Sequence, residues 1–233
     1  MTEVNYLESL NPLQYESVCS TEGPNLIIAG AGTGKTKVLT TRVAHIIDNN
    51  LAFPSQILCV TFTNQAAREM SERVQKLVSQ NMEKMPWMGT FHSIGAKIIR
   101  NHAEVIGLKQ SFTILDKDDQ LSLIKQIIKA ENLDQSQFSP KLIQSKIDHW
   151  KNKALNPNDI KSESLDNLVD EKSLSIYKIY QARLFEINCL DFGDLLLQCI
   201  NLFKVTDIHK RYSNNFKYIH VDEYQDTNAA QYK

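Results

Sequence analysis

Residues 29–36 read AGAGTGKT, and this stretch decides the fold class. An apolar run at 25–29 favours a strand before it, and a helical pattern at 35–47 follows it, so the glycines lie at a strand-to-helix turn. In that setting the backbone N–H groups and the helix N-terminus face phosphate oxygens. Lys35 can neutralise the β and γ phosphates, and Thr36 can offer a hydroxyl to Mg²⁺. The stretch predicts a phosphate-binding (Walker A) loop; a glycine-rich turn without a ligand is the alternative.

Short apolar runs around the loop predict a parallel sheet. Four runs are short, mostly continuous and rich in β-favouring residues: 25–29, 56–62, 87–91 and 217–221. Such runs are typical of strands that are covered on both faces. Helical patterns follow the first three, at 35–47, 65–78 and 93–103. Strand–helix alternation of this kind produces a parallel sheet, so the sequence predicts an α/β core.

Two acids end the last of these runs. Asp222 and Glu223 directly follow the apolar segment 217–221. A phosphate loop needs an acid from a second strand, so Asp222 would hold Mg²⁺ and Glu223 would polarise the attacking water. Acids are also common at helix starts, where they cap the next helix, and that is the alternative interpretation.

The stretch 112–188 differs in character from the rest. Asp116 is placed to cap a helix over 120–130, a second helix begins at Pro140, and a third is expected over 174–187. Because this helical stretch stands between the third and fourth predicted strands, we interpret it as an inserted helical subdomain. The predicted domain limits are 1–111, 112–188 and 189–233, the first and last forming one α/β domain.

Composition excludes several classes of protein. The chain has 233 residues with 26 basic and 27 acidic side chains, and 42% of its residues are hydrophobic, as in ordinary globular proteins. The basic and acidic residues are balanced in each of the segments 1–110, 111–190 and 191–233, so the charge footprint of a duplex-binding protein is missing. The four cysteines form no CxxC pair, and neither a zinc site nor a disulfide framework is expected. Without a secretory signal or membrane segment in the sequence, we expect a cytoplasmic protein.

Gln14 follows Asn11 and Pro12 at the start of a helical pattern. A glutamine amide can pair with the N6 and N7 edge of adenine, whereas guanine presents an acceptor where adenine presents a donor. A single glutamine is also common as a solvated helix residue. The assignment of Gln14 to a base site therefore depends on the wider motif set.

Six segments together resemble the superfamily 1 DNA helicases of the UvrD/Rep/PcrA type. They are Leu10–Gln14, Ala29–Thr36, Val60–Ala67, Gly89–Ser93, Leu190–Leu196 and Val221–Asn228. Their order and spacing match that family over essentially the whole chain. The resemblance implies a RecA-like P-loop NTPase domain (1A) that is interrupted by an all-helical subdomain (1B). It further implies an ATP-driven 3′ to 5′ translocase on single-stranded DNA, acting at duplex junctions in DNA repair.

The resemblance also implies roles for individual residues. Lys35, Asp222, Glu223 and Gln225 would carry hydrolysis, with Thr36 and Asp222 on Mg²⁺. The nucleotide would be bound by Gln14, Ala29, Gly30, Ala31, Gly32, Thr33, Gly34, Lys35, Thr36 and Lys37. The DNA strand would contact Thr61, Phe62, Asn64, Thr90, His92 and Phe192. Base–aromatic stacking fits this assignment of Phe62 and Phe192, although both could be core residues.

The sequence departs from the family pattern at three places. Lys37 stands where many relatives carry an arginine that stacks on adenine, and Gln65 replaces a common lysine, so weaker ligand binding is expected. The resemblance places the third motif, the rest of domain 1A and a second motor domain with arginine fingers beyond Lys233. We therefore expect these 233 residues to be inactive as a motor, to need that C-terminal domain in cis or in trans, and to self-associate through an open sheet. The alternatives are a nucleotide- or DNA-binding remnant and a free-standing P-loop enzyme.

Overall fold

The computed structural model describes residues 6–78, 85–161 and 167–233. The helices among them are α1 (Pro12–Cys19), α2 (Lys35–Asp48), α3 (Asn64–Leu77), α4 (Phe91–Asn101), α5 (Lys117–Ala130), α6 (Pro140–Asn152), α7 (Leu168–Glu186), α8 (Phe192–Phe203), α9 (Thr206–Asn215) and α10 (Ala229–Tyr232). The strands are β1 (Ile57–Thr61), β2 (Met88–Thr90), β3 (Thr113–Leu115), β4 (Cys189–Asp191) and β5 (Tyr218–Val221). The chain forms two compact units, one up to Ile94 with Lys210–Gln225 and one of Gly95–His209 with Asp226–Lys233.

The first unit is built on a parallel sheet with the strand order β2-β1-β5. Thr61 of β1 pairs with Thr90 of β2, and Val60 pairs with Val221 of β5. Side chains of α2 and α3 pack with β1 in one core, which includes Ile46, Cys59 and Met70. The predicted strands at 56–62, 87–91 and 217–221 are confirmed, and so is the α/β fold class.

The predicted strand at 25–29 is wrong. The structure gives this segment no regular secondary structure, and Leu26 and Ile28 are 72% and 89% exposed. Among the described residues β5 is an edge of the sheet, and Ile219 on it is 62% exposed. A strand needs a neighbour for its backbone N–H and C=O groups, and this segment is paired with none of the described strands. Apolar composition alone therefore did not make it a strand.

The second unit is mainly helical and contains the parallel pair β3-β4. Helices α5, α6 and α7 share a core that includes Ile124, Ile147 and Tyr177. The side chain of Asp116 caps α5 by accepting hydrogen bonds from two backbone N–H groups, as the sequence predicts. The domain limits at 111 and 188, and the insertion that they define, stay a prediction. Among the described helices, none combines the length and the hydropathy that crossing a membrane requires.

Candidate functional site

The carboxyl ends of β1, β2 and β5 lie at the same edge of the first unit's sheet, because these strands are parallel and in register. Ligands of parallel sheets bind at this edge. Asp222 comes directly after β5, and its backbone N–H donates to the Val60 carbonyl at 3.0 Å. Its carboxylate accepts a hydrogen bond from the Thr61 hydroxyl at 3.4 Å. The sheet thus joins the predicted metal-binding acid to a residue that was predicted to contact DNA.

Asp222 has a carboxyl group of altered acidity. The side chain is buried, and burial followed by the negative charge of Glu223 raises its pKa above the ordinary value. The Thr61 hydroxyl and the positive charge of Lys35 act in the opposite direction. Lys35, the cation of the phosphate loop, therefore lies within electrostatic reach of Asp222.

Glu223 sits in a strained backbone conformation at the end of β5. Its φ is 49°, in the left-handed region that residues with a Cβ rarely occupy. Its carboxylate accepts a hydrogen bond from the side-chain amide of Gln225. Strain of this kind concentrates at functional sites, and here it is held next to two residues that were predicted to carry hydrolysis.

The loop 29–36 leads into α2 without a side-chain cap. Gly34 is the N-cap residue with φ 91°, Gly32 has φ 75°, and no side chain caps the first-turn N–H groups of α2. The Lys35 ammonium donates to the Ala29 carbonyl at 3.3 Å, so it folds back over its own loop. Uncapped N–H groups together with a nearby cation suit an anionic ligand such as phosphate.

Helix α1 lies beside the loop and brings the predicted base-side residues to it. The Gln14 amide donates to the Thr33 carbonyl at 3.0 Å, and its oxygen accepts from the Asn11 N–H at 3.1 Å. The Lys37 ammonium donates to the Ser9 carbonyl at 2.6 Å. The Gln14 side chain is thus bonded to the loop, whereas the Lys37 ammonium is bonded to the segment before α1, and the roles of both residues in base binding stay predictions. The polar atoms of Gln14 are already engaged there, so a bidentate contact with adenine requires the amide to exchange partners.

The donor set suits Mg²⁺. This ion usually takes one or two carboxylates and completes its shell with water and phosphate oxygens. Thr36 supplies a hydroxyl at the start of α2, and Asp222 supplies a buried carboxylate. In the described part of the chain there is no group of three or more His, Cys, Asp and Glu that could hold a metal without other ligands.

The residues predicted to contact DNA divide by exposure. Thr61 and Thr90 are buried, and their hydroxyls bind Asp222 and the Ser93 N–H. Phe62 is half-buried and packs edge-on against Phe91, with ring centroids 5.5 Å apart. Asn64 is exposed in the first turn of α3. Asn64 is thus exposed and Phe62 partly exposed, whereas the two threonine side chains are buried.

His92 and Phe192, which were also predicted to contact DNA, both lie at helix starts. His92 lies in the first turn of α4, and burial lowers the pKa of its imidazole. Phe192 belongs to the second unit, begins α8 and is 46% exposed.

The sequence analysis missed the groups beside Phe192. Asp191 and Asp194 are buried and bind the ammonium of Lys151, whose side chain is 0% exposed. The acids are three residues apart, which is the spacing of a helix capping box and could have been noticed. Lys151 is 40 residues away in sequence, and no local pattern indicates it.

Comparison with known proteins gives a consistent result. The model of the UvrD/REP helicase N-terminal domain family matches residues 10–233. The chain is 47% identical over 227 residues to the ATP-dependent DNA helicase PcrA of Staphylococcus aureus, a match that covers 97% of this chain and 31% of the relative. It is 46% identical over 224 residues to PcrA of Leuconostoc citreum, covering 96% of this chain and 30% of that protein. The chain thus spans about a third of the length of these curated relatives.

Proposed function

The chain belongs to the UvrD/REP helicase N-terminal domain family, and from this premise we propose that it is the nucleotide-binding part of an ATP-dependent DNA helicase that moves 3′ to 5′ along single-stranded DNA. The observation that carries the proposal is the edge where β1, β2 and β5 end. There Asp222 bonds to Thr61, and the charge of Lys35 acts on Asp222. One edge thus holds residues proposed for nucleotide binding and residues proposed for DNA contact.

In the proposed mechanism the loop binds ATP through its backbone. The N–H groups of 29–36 and the first turn of α2 donate to the phosphates, and Lys35 turns from its loop carbonyls to the β and γ phosphates. Thr36 and Asp222 would hold Mg²⁺, which when bound offsets the negative charge of the phosphates. Gln14 and Lys37 would lie on the base side, where the Gln14 amide prefers adenine to guanine.

Glu223 would act as the general base. Its carboxylate would polarise the attacking water. Gln225, whose amide donates a hydrogen bond to that carboxylate, would sense the γ-phosphate and link it to the DNA site. Thr61 links Asp222 to the strand end that precedes Phe62 and Asn64. A change at the bound phosphates would thus pass from Asp222 to Thr61 through one hydrogen bond, and from Thr61 along the backbone to the proposed DNA contacts.

Whole-motor activity is proposed for a longer protein. Lys35 is the loop's cation, and phosphoryl transfer commonly needs a further arginine finger that contributes about 10³ to 10⁵ in rate. The family resemblance places that arginine in a second motor domain, acting in cis or in trans. We propose that these 233 residues by themselves bind ATP weakly and do not unwind DNA duplex junctions.

Self-association is a further proposed property of the 233-residue chain. The edge strand β5 and the exposed apolar side chains Leu26, Ile28 and Ile219 belong to the same unit. Open strand edges pair with other chains. Sedimentation of the purified chain is expected to show dimers or larger species, and a strictly monomeric chain would contradict this.

The test of the nucleotide site uses Lys35→Ala. We expect binding of a fluorescent ATP analogue in Mg²⁺, weak in the parent chain, to be lost in this variant, because the phosphates lose their cation. Lys76→Ala removes an exposed lysine from α3 of the same unit and serves as the control. Equal affinity of the Lys35→Ala and Lys76→Ala variants would remove the phosphate-loop assignment.

The assignment of Glu223 as the general base is tested in a longer protein that includes the C-terminal part. Glu223→Gln is expected to keep ATP binding and to lose about 10² to 10⁴ in turnover, because the base is removed while Asp222 remains. Turnover like that of the unsubstituted protein would place the base at another residue.

A further inference from the structure

Phe192 stands between two buried acids at the start of α8. Asp191 is 2% exposed and Asp194 is 0% exposed, whereas Phe192 is 46% exposed. The helix start therefore buries the two acids and leaves the phenylalanine between them partly exposed. The backbone at this position sets the direction of the Cα–Cβ bond, and with it the side of the helix start on which the ring lies.

A reciprocal capping box fixes that backbone. The Asp191 carboxylate accepts from the Asp194 N–H at 2.9 Å, and the Asp194 carboxylate accepts from the Asp191 N–H at 3.2 Å. These two bonds close a ring of backbone and side chains around Phe192 and Gly193. The dihedral angles at Phe192 are thereby restricted.

Lys151, from the last turn of α6, holds both carboxylates. Its ammonium lies 2.7 Å from an oxygen of Asp191 and 2.7 Å from an oxygen of Asp194. Burial lowers the pKa of this ammonium, but the two carboxylates outweigh burial and the net pKa is raised, so the lysine stays charged. The Lys151 ammonium thus binds both carboxylates of the capping box.

Helix α7 adds support, as does the Gln120 amide of α5, which donates to Asp191 at 3.3 Å. The Tyr180 hydroxyl donates to Asp191 at 2.9 Å, and the Gln181 amide donates to Asp194 at 3.0 Å. With these bonds, each carboxylate is held by Lys151, by α7 and by the capping box.

Gly193 lets the stem of Lys151 lie against the helix start. A Cβ at this position would be 2.8 Å from Cδ and 3.0 Å from Cβ of Lys151, which is closer than side chains tolerate. The lysine therefore contacts the backbone directly next to Phe192, in addition to binding the two acids.

We propose that Lys151 is a positioning residue for Phe192, fixing the helix start so that the ring is preorganised to stack on a base of single-stranded DNA. The proposal rests on the proposed function, in which Phe192 contacts the strand. A buried ion pair is weak evidence for stability, because well-packed apolar residues often replace one without loss. Its benefit here is geometric, since a side chain that is already fixed loses less freedom when it binds.

The experiment is a double-mutant cycle on the 233-residue chain, with binding of a fluorescein-labelled oligo-dT followed by anisotropy. Phe192→Ala is expected to weaken binding by about 5- to 150-fold, the range of one base stack. Lys151→Met is expected to weaken binding in the parent chain and to cause no further loss when Phe192 is already alanine. Lys141→Met, which removes an exposed lysine from the same helix, controls for lost positive charge and should change little.

Folding is separated from positioning by a second variant. Lys151→Met leaves two buried acids without their cation, so Lys151→Met/Asp194→Asn, which keeps the cluster's net charge, is measured in the same cycle. Circular dichroism and thermal melting establish that each variant is folded. We expect Lys151→Met/Asp194→Asn to weaken oligonucleotide binding in the parent chain and to cause no further loss when Phe192 is already alanine.

The outcomes separate the two proposals. If Phe192→Ala leaves affinity unchanged, or the unsubstituted chain does not bind the oligonucleotide, the proposed DNA contact is wrong and the positioning role falls with it. If Phe192→Ala weakens binding but the folded Lys151 variants bind normally, or lose as much affinity in the Phe192→Ala background, the DNA contact stands and the positioning role is overturned.

Discussion

Helix α2 begins after Gly34 and helix α8 begins after Asp191, and the N-termini of the two helices differ in how they are capped. No side chain caps α2, so its first N–H groups are available to an external anion. In α8 a capping box satisfies backbone N–H groups from within the chain, Lys151 binds both of its carboxylates, and Phe192 is the first residue of the helix. The difference shows that one structural feature, a helix N-terminus, suits phosphate when its amides are uncapped and suits presentation of a side chain when they are capped.

The largest expected difference between the two starts is in stability. Lys151→Met should lower the free energy of unfolding by about 3 to 5 kcal/mol, because it removes one partner of a buried charge cluster. Lys35→Met should change it by less than about 0.5 kcal/mol, since Lys35 is partly exposed and binds loop carbonyls. Urea unfolding measures both. Similar losses in the two variants would show that the starts do not differ as described.

Acid should act in opposite directions on the two units. Burial, with the charge of Arg42, lowers the pKa of His220 on β5 to about 4. Its contribution to stability therefore falls as the pH drops from about 6.5 to 4, because the unfolded chain takes up a proton there while the buried imidazole stays neutral. Burial and the charge of Asp191 raise the pKa of Asp194 to about 6, so that its contribution falls as the pH rises from about 4 to 6. Each contribution is roughly 3 kcal/mol.

Unfolding free energies between pH 4 and 7 test this contrast. The difference between the parent chain and His220→Asn isolates the histidine, and the difference from Asp194→Asn isolates the acid. Difference curves of the same sign for both variants would contradict the assignment.

A smaller effect concerns Phe62, the aromatic residue at a strand end. Phe62→Ala should weaken oligonucleotide binding by about 1 to 3 kcal/mol if the ring stacks on a base. Phe53→Ala, which removes a ring that is 73% exposed in the same unit, is the control. A lower melting temperature with unchanged affinity would instead assign Phe62 to the core with Phe91, and would leave Phe192 as the candidate platform.

The smallest expected effects distinguish the glycines of the two starts. Gly32→Ala should lower the free energy of unfolding by about 1 to 2 kcal/mol because φ is positive, although nothing lies within 4 Å of the added Cβ. Gly193→Ala should cost about 1 kcal/mol or more because Lys151 fills the space. Asparagine tolerates positive φ, so Gly32→Asn should lower the melting temperature less than Gly32→Ala. Gly193→Asn should lower it more than Gly193→Ala. Thermal melts of the four variants measure this, and the same ranking at both positions would refute it.

Much of the fold could be predicted from local sequence. The runs at 56–62, 87–91 and 217–221 form strands, and the helical patterns after the loop form α2 and α3, because periodicity and composition act over neighbouring residues. Asp116 caps α5 for the same reason. The motif order led to the family to which the chain belongs. The residue roles within the site remain predictions.

Only the tertiary structure decided the remaining features, because each depends on what lies next to a residue in space. The segment 25–29 is apolar enough for a strand but pairs with no described neighbour. The Thr61 hydroxyl points to Asp222, 161 residues away, which a local pattern cannot show. Lys151 reaches Asp191 across 40 residues of sequence. Sequence by itself determined which elements form, and packing determined which side chains meet, since burial leaves a charged or polar group only the partners that the fold brings to it.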